Sequence, residues 1–127
     1  MVRLNRGHVV NLGSLAGHQT YPKGNVYSAT KYAVRALTEG MHLDLVGTPV
    51  RVSSVDPGLV ETEFSVVRFH GDAARAQQVY QGMQPLTAED VAEVVSYVVN
   101  LPEHINVLDL VLMPTAQRST QVVHRQG

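Results

Sequence analysis

Residues Gly7–Val34 read GHVVNLGSLAGHQTYPKGNVYSATKYAV and change character twice. Gly7 to Ser14 is a short apolar run ending in glycine and serine, the pattern of a buried strand. Leu15 to Gly24 carries two glycines and a proline, which makes it a loop. From Asn25 to about Leu45 the residues are good helix formers. Val26, Ala29, Ala33, Leu37, Met41 and Leu45 recur there at spacings of three and four. That spacing predicts one helix, with Asn25 as its N-cap and an apolar stripe meant for the core or a subunit interface.

The same alternation continues downstream. VRVSSV (Val50–Val55) predicts a second buried strand, which DPGLVETEF (Asp56–Phe64) breaks with proline and glycine. Asp72 to Gln81 reads as a short helix closed by Gly82. LTAEDVAEVVSYVVNLP (Leu86–Pro102) is a clearer one, with Thr87 as cap, Asp90 at the third helical position and Pro102 as the stop. VLDLVLM (Val107–Met113) predicts a third strand, and residues 114–127 are polar and irregular. Apolar strands alternating with helices imply an α/β fold, a doubly wound parallel sheet joined by right-handed crossovers. With three strands the sheet is small, and one edge carries a fully apolar strand of the kind proteins seldom leave open. A missing partner is therefore expected.

The chain has 127 residues, is 44% hydrophobic and 17% charged, and has a formal net charge of −1. These values describe one soluble globular domain large enough to need no metal or disulfide staple. Near-neutral charge argues against nucleic acid as a partner. The lack of cysteine excludes a disulfide framework, a thiol nucleophile and thiolate metal sites. No apolar run has the length of a membrane span, and the start, MVRLNRGHVV, lacks the apolar core of a signal peptide. A cytoplasmic protein with no membrane partner is the expectation.

Tyr27 and Lys31 lie four apart and so share one helix face. A free phenol titrates at about 10, and a neighbouring ammonium favours its charged form, so the pair is a workable acid/base device at a carbonyl or alcohol. Ser14 stands where a strand ends, the usual place for ligand contacts in parallel sheets. Its hydroxyl can hold a substrate oxygen against Tyr27, though a serine capping a turn explains it equally well. In DPGLVETEF, Gly58 lets a flat ligand approach the backbone and Thr62 offers a hydroxyl; a plain turn accounts for Pro57 and Gly58 as readily.

NLGSLAG, YSATK and DPGLVETEF, in that order and spacing, resemble the short-chain dehydrogenase/reductases. GNVYSATKYAVR, VRFHGD, LTAEDVAE, LPEHINV and VHRQ narrow the likeness to their NADP-dependent 3-hydroxy acid dehydrogenases, which include serine 3-dehydrogenase and malonic semialdehyde reductase. The resemblance implies a Rossmann-like fold and reversible hydride transfer between NADP(H) and C3 of a short hydroxy acid such as serine or 3-hydroxypropanoate. It makes Tyr27 the acid/base, Ser14 the group that orients the substrate oxygen, and Lys31 the ligand of the nicotinamide ribose. Pro57 to Phe64 become the loop along the nicotinamide, with Pro57, Gly58, Leu59, Val60 and Thr62 as its cofactor contacts. It also implies a homo-oligomer, a tetramer in full-length members, with the Asn25–Leu45 helix at a dimer contact and the tail as a bridging arm.

The family's opening motifs, TGxxxGxG and NNAG, do not occur in these residues, so the chain aligns with the C-terminal half, the last three strands of a seven-stranded sheet. The resulting expectation is that residues 1–127 alone neither bind NADP tightly nor turn over. Two other readings stand beside it: a non-catalytic oligomerisation module, and one half of a split dehydrogenase.

The six histidines (His8, His18, His42, His70, His104 and His124) show no ligand-like spacing, so no metal site is expected. Arg68 and Arg75 follow the nicotinamide loop; either can grip a substrate carboxylate, or simply be solvated. Tyr21 either lines the substrate pocket or packs.

Overall fold

The computed structural model describes residues 1–127 and confirms the predicted alternation, with one helix added. The elements are β1 (His8–Leu12), α1 (Asn25–Asp44), β2 (Arg51–Pro57), α2 (Phe64–Arg68), α3 (Ala73–Gln78), α4 (Ala88–Val99) and β3 (Asp109–Leu112). Single 3-10 turns occupy Val2–Leu4 and Leu15–Gly17. The strands form one parallel sheet in the order β1-β2-β3, with Val10 opposite Ser53 and Val55 opposite Leu110. This is the α/β architecture, with helices flanking three parallel strands, that the sequence predicts.

β2 is the centre of the molecule. Val52, Ser53, Ser54, Val55 and Asp56 are all buried, as a strand covered on both faces must be. Side chains alternate along it. Arg51, Ser53 and Val55 face α4, while Val52, Ser54 and Asp56 face α1. On the α4 side, Val98 is fully buried and Arg51 reaches across to the carbonyls of Val99 (3.1 Å), Leu101 (3.1 Å) and Ile105 (3.2 Å). Asn106 pairs with both backbone groups of Val52 at 2.9 Å, extending the sheet by a side chain before β3 begins.

The local signals of α4 hold. Thr87 Oγ1 accepts from Asp90 N–H at 3.2 Å and Asp90 accepts from Thr87 N–H at 2.8 Å, a complete capping box. The helix ends at Val99, before Pro102 is reached. Asn100 folds its amide onto the Ser96 carbonyl at 2.8 Å, and Arg51 takes up the carbonyls that follow.

Three expectations need correction. Asn25 is the first helical residue of α1 rather than its cap, and the cap position is Gly24. A Cβ on Gly24 would stand 2.5 Å from the Tyr21 ring, so the tight turn before the helix requires glycine. The stripe on α1 does not enter the core: Val26, Ala29, Ala33 and Leu37 are exposed, and the helix turns Ser28 and Thr38 inward instead. The sheet beneath is polar, and Asn11 Nδ2 donates to Thr38 Oγ1 at 3.0 Å. The third correction is α2, which begins within the segment read as an open loop. It is followed by a turn with His70 at φ 55 and Gly71 at φ 87.

The tail beyond β3 is irregular in form but firmly tied. His124 N–H donates to the Ala116 carbonyl at 2.9 Å, and Gln126 N–H to the Gly82 carbonyl at 2.8 Å. It folds back over the carboxyl ends of this chain's own strands.

Candidate active site

Two loops leave the carboxyl ends of β1 and β2 side by side, and glycines set how closely they approach. At Gly13 a Cβ would run into the Asp56 carboxylate, so the first loop leaves its strand flush against the end of β2. At Gly17 a Cβ would lie 2.8 Å from the Lys31 carbonyl oxygen, so the same loop rests on the backbone of α1 where Tyr27 and Lys31 project. At Gly58 a Cβ would overlap the Gln117 amide oxygen. That oxygen accepts from Leu59 N–H at 2.9 Å and fixes the second loop from the tail.

A cavity of about 450 Å³ opens between these loops. Ser14, Tyr21, Tyr27, Pro57, Gly58, Leu59, Val60, Thr62 and Arg68 all line it. Lys31 and Arg75 do not line it. Lys31 stands behind Tyr27, its Nζ 5.8 Å from the ring centroid and 3.4 Å from the Leu12 carbonyl. Arg75 stacks on Phe69 at 4.4 Å, outside the cavity. Ser14 Oγ accepts from Ala16 N–H at 3.1 Å, so it caps the 3-10 turn and also presents a hydroxyl to the cavity. Thr62 Oγ1 accepts from Phe64 N–H at 3.2 Å at the entry to α2.

Phe64 closes the loop expected along the nicotinamide, and several other lining residues lie outside the sequence reading. Phe64 sits against Tyr27 with centroids 5.4 Å apart, tilted by 45°. Tyr80 is buried at the end of α3; its hydroxyl donates to the Val60 carbonyl at 2.9 Å and meets Ser65 Oγ at 2.8 Å. Gln117, Thr120, Gln121 and Arg125 come from the tail. No spacing rule links residues this far apart; the only local hint was the glutamine-rich polarity of the tail. Among all 22 lining residues, Arg68 and Arg125 are charged and no carboxylate is present, so the cavity favours anions. Arg68 makes no hydrogen bond or ion pair; its guanidinium lies over the Tyr21 ring at 5.3 Å. Arg125 is partly occupied, donating to the Gln81 carbonyl at 2.7 Å.

A second, wholly polar cluster lies just beneath the first loop. His18 Nε2 is 2.6 Å from Asp56 Oδ2 and 3.4 Å from Asp109 Oδ2. Ser54 Oγ donates to Asp56 Oδ1, and Arg35 Nε stands 3.8 Å from Asp109 Oδ2. Burial, then the hydrogen bond and charge of Asp56, push the Asp109 carboxyl up to about 6. Burial acts in the same direction on Asp56, but hydrogen bonds from Asp109, Ser54 and His18 hold it below its usual value. Histidine spacing along the chain gave no sign of this, because the partners of His18 lie on two strands far downstream.

The space beside Gly58 is taken by the Gln117 and Met113 side chains rather than left open to a flat ligand, so the bare backbone expected there serves the fold of the tail. The cavity's volume lies within the range of about 300–1,000 Å³ usual for small-molecule sites.

Residues 1–73 match the family described as short chain dehydrogenase. An NADP-dependent 3-hydroxy acid dehydrogenase of Escherichia coli (strain K12) is 49% identical over 128 residues, covering 99% of this chain and 52% of that protein. An NADP-dependent 3-hydroxy acid dehydrogenase of Schizosaccharomyces pombe is 43% identical over 122 residues, covering 96% of this chain and 47% of that protein. The closed form of a serine dehydrogenase complexed with NADP+ superposes with a TM-score of 0.92 at 49% identity, over 99% of this chain and 52% of that one. The chain thus spans about half the length of the curated relatives it matches.

Proposed function

Because the chain belongs to the short-chain dehydrogenase family, we propose that it carries the substrate and nicotinamide end of an NADP-dependent oxidoreductase for short 3-hydroxy acids. One observation carries this reading: Ser14, Tyr27 and the Pro57–Val60 backbone open on a single cavity that holds two guanidiniums and no carboxylate. Serine and 3-hydroxypropanoate each offer a hydroxyl and a carboxylate to such a site.

Bound NADP+ would supply the acceptor for the C3 hydride, and the chain's own residues would bind and orient the substrate and exchange its proton. Ser14 holds the substrate oxygen by hydrogen bond. Tyr27 takes the hydroxyl proton during oxidation and returns it during reduction. Lys31, its Nζ 5.8 Å from the Tyr27 ring centroid, is the residue to hold the ribose hydroxyls. Leu59, Val60 and Thr62 line the nicotinamide, with Phe64 closing one side of Tyr27. Arg68 is the group to grip the substrate carboxylate, since its donors are uncommitted.

The bare apolar stripe on α1 supports a homo-oligomer, as does the family expectation of a tetramer. A cytoplasmic location belongs to the same proposal; no helix is long and apolar enough to cross a membrane. The outer edge of β1 is unpaired in these residues, and the relatives they match are about twice as long.

NADPH fluorescence with the purified chain, alone and mixed with the N-terminal half of the Escherichia coli relative, tests the reading. Binding and L-serine oxidation are expected only in the mixture. Tyr27→Phe should abolish oxidation while leaving NADPH binding, and a mixture that oxidises serine as well with the phenylalanine would sink the assignment. Arg68→Ala should raise KM for hydroxy acids by about tenfold or more and spare neutral alcohols. Equal effects on both would remove Arg68 from the carboxylate role.

A further inference from the structure

Residues 62–85 leave the sheet and return to it at one place. There Leu86 N–H donates to the Leu59 carbonyl at 3.0 Å, and Glu61 N–H donates to the Leu86 carbonyl at 2.8 Å. The excursion carries α2 and α3, and α2 brings Phe64 and Arg68 to the cavity. Its far end is held by the tail, through Gln126 N–H to the Gly82 carbonyl at 2.8 Å and Arg125 Nη1 to the Gln81 carbonyl at 2.7 Å. α2 has no such tie to the tail. Phe64, Val67 and Arg68 are exposed, and Ser65 is the one buried residue of the five. So short a helix has too few internal bonds to keep its own place.

α2 is therefore fixed at Ser65, and what Ser65 meets is Tyr80, just past the end of α3. The two hydroxyls lie 2.8 Å apart, both side chains are buried, and Tyr80 Oη stands 2.9 Å from the Val60 carbonyl. A carbonyl can only accept, so the single Tyr80 hydroxyl proton goes to Val60. Tyr80 Oη is left to accept, and Ser65 Oγ donates to it. The result is a directed chain of hydrogen bonds from α2, through Tyr80, to the loop after β2. Bonds in such a chain, shielded from water, reinforce one another. Arg68 follows Ser65 by three residues, close to one helical turn, so both fall on the side of α2 that lines the cavity.

We propose that Ser65 and Tyr80 are positioning residues: their hydroxyl chain fixes the rotation of α2 and so aims the Arg68 guanidinium at the substrate carboxylate. Tyr80 also holds the Val60 carbonyl, so one hydroxyl keeps the acid-binding side of the cavity in register with the Leu59–Val60 side. The chain of hydroxyls is independent of the reaction assigned above; its effect on substrate choice rests on that reading.

Two variants take the chain apart at different links. Ser65→Ala frees α2 but leaves Tyr80 on Val60, whereas Tyr80→Phe frees both. Hydrogen exchange of the purified chain, with no activity needed, should show residues 67–71 losing protection by roughly tenfold in each variant. Glu61 N–H should lose protection only in Tyr80→Phe. Unchanged protection of residues 67–71 in Ser65→Ala, or equal loss at Glu61 in both variants, overturns the chain. Proton NMR of the unmodified chain covers the case of a variant that does not fold. A Tyr80 hydroxyl proton that exchanges slowly with water supports the chain, and one that exchanges as fast as a solvated phenol overturns it.

Oxidation by each version, mixed with the N-terminal half of the Escherichia coli relative, reads the effect on substrate choice. Ser65→Ala should raise KM for hydroxy acids by about fivefold, leave kcat nearly unchanged and spare neutral alcohols. In a chain that already carries Arg68→Ala, it should add nothing, because the residue it positions is gone. An increase that persists without Arg68, or that falls equally on neutral alcohols, overturns the positioning role. If the exchange results hold and the unmodified mixture oxidises no hydroxy acid, the hydroxyl chain stands and the assigned reaction falls.

Discussion

α1 and α4 cover opposite faces of the same strand, and they do so by opposite means. α4 turns valines at 91, 94, 95 and 98 toward the sheet and leaves Glu93, Ser96 and Tyr97 outside. α1 buries Ser28 and Thr38 against a sheet face bearing Asn11, Ser54, Asp56 and Asp109, and leaves Val26, Ala29, Ala33 and Leu37 outside. One helix is held by apolar burial, the other by the Thr38–Asn11 hydrogen bond and the Arg35–Asp109 contact, with the buried Ser28 hydroxyl unpartnered. A helix whose apolar side faces water is half of an unmade contact. Polar groups beneath it are therefore fixed for geometry and specificity more than for stability.

The contrast sharpens first through Val98, which is fully buried in α4. Val98→Ala should lower stability by about 2 kcal/mol, because removing two methyls leaves a void the sheet cannot refill. Urea unfolding of the purified chain measures it. A loss below about 0.5 kcal/mol would mean the α4 face is not the apolar anchor described here.

On the other face the matching change is Thr38→Val, close in shape but without the hydroxyl. It leaves the Asn11 amide with no partner at the α1 interface, and the same unfolding experiment should show a loss of about 1 kcal/mol. An outcome equal to or above that of Val98→Ala would reverse the comparison and make the polar face the stronger of the two.

What the sequence discloses follows the range of each interaction. The α4 capping box joins residues three apart, and parallel pairing of the three strands needs only the alternation of apolar runs with helices, so both were legible. Ser14, Tyr27 and the Pro57–Thr62 loop were legible as a group because parallel strands put the loops after their carboxyl ends together. The periodicity of α1 was legible as a helix, yet its stripe was assigned partly to the core. Periodicity reports that one side differs from the other, and only the partner surface says which side turns inward. α2 escaped notice because its five residues are too few for a period to show. His18, Asp56 and Asp109, like Gln117 and Tyr80, meet only after the sheet has formed, and no local rule could join them.

The smallest effect on folding is expected where the exposed apolar surface is greatest. Leu37 is 59% exposed at the middle of the α1 stripe, three turns beyond Val26 at 80%. Leu37→Glu puts a charge where water already stands, so unfolding free energy should change by less than about 0.5 kcal/mol. The same charge would be buried if a second copy covers the stripe, and an unpaired buried carboxylate opposes association strongly. Analytical ultracentrifugation of the unmodified chain and of Leu37→Glu separates the two quantities. Association that weakens by about tenfold or more, with folding untouched, identifies α1 as the contact between copies. Association that is unchanged would show the stripe to be bare for another reason, and the two helices would then differ in packing without differing in purpose.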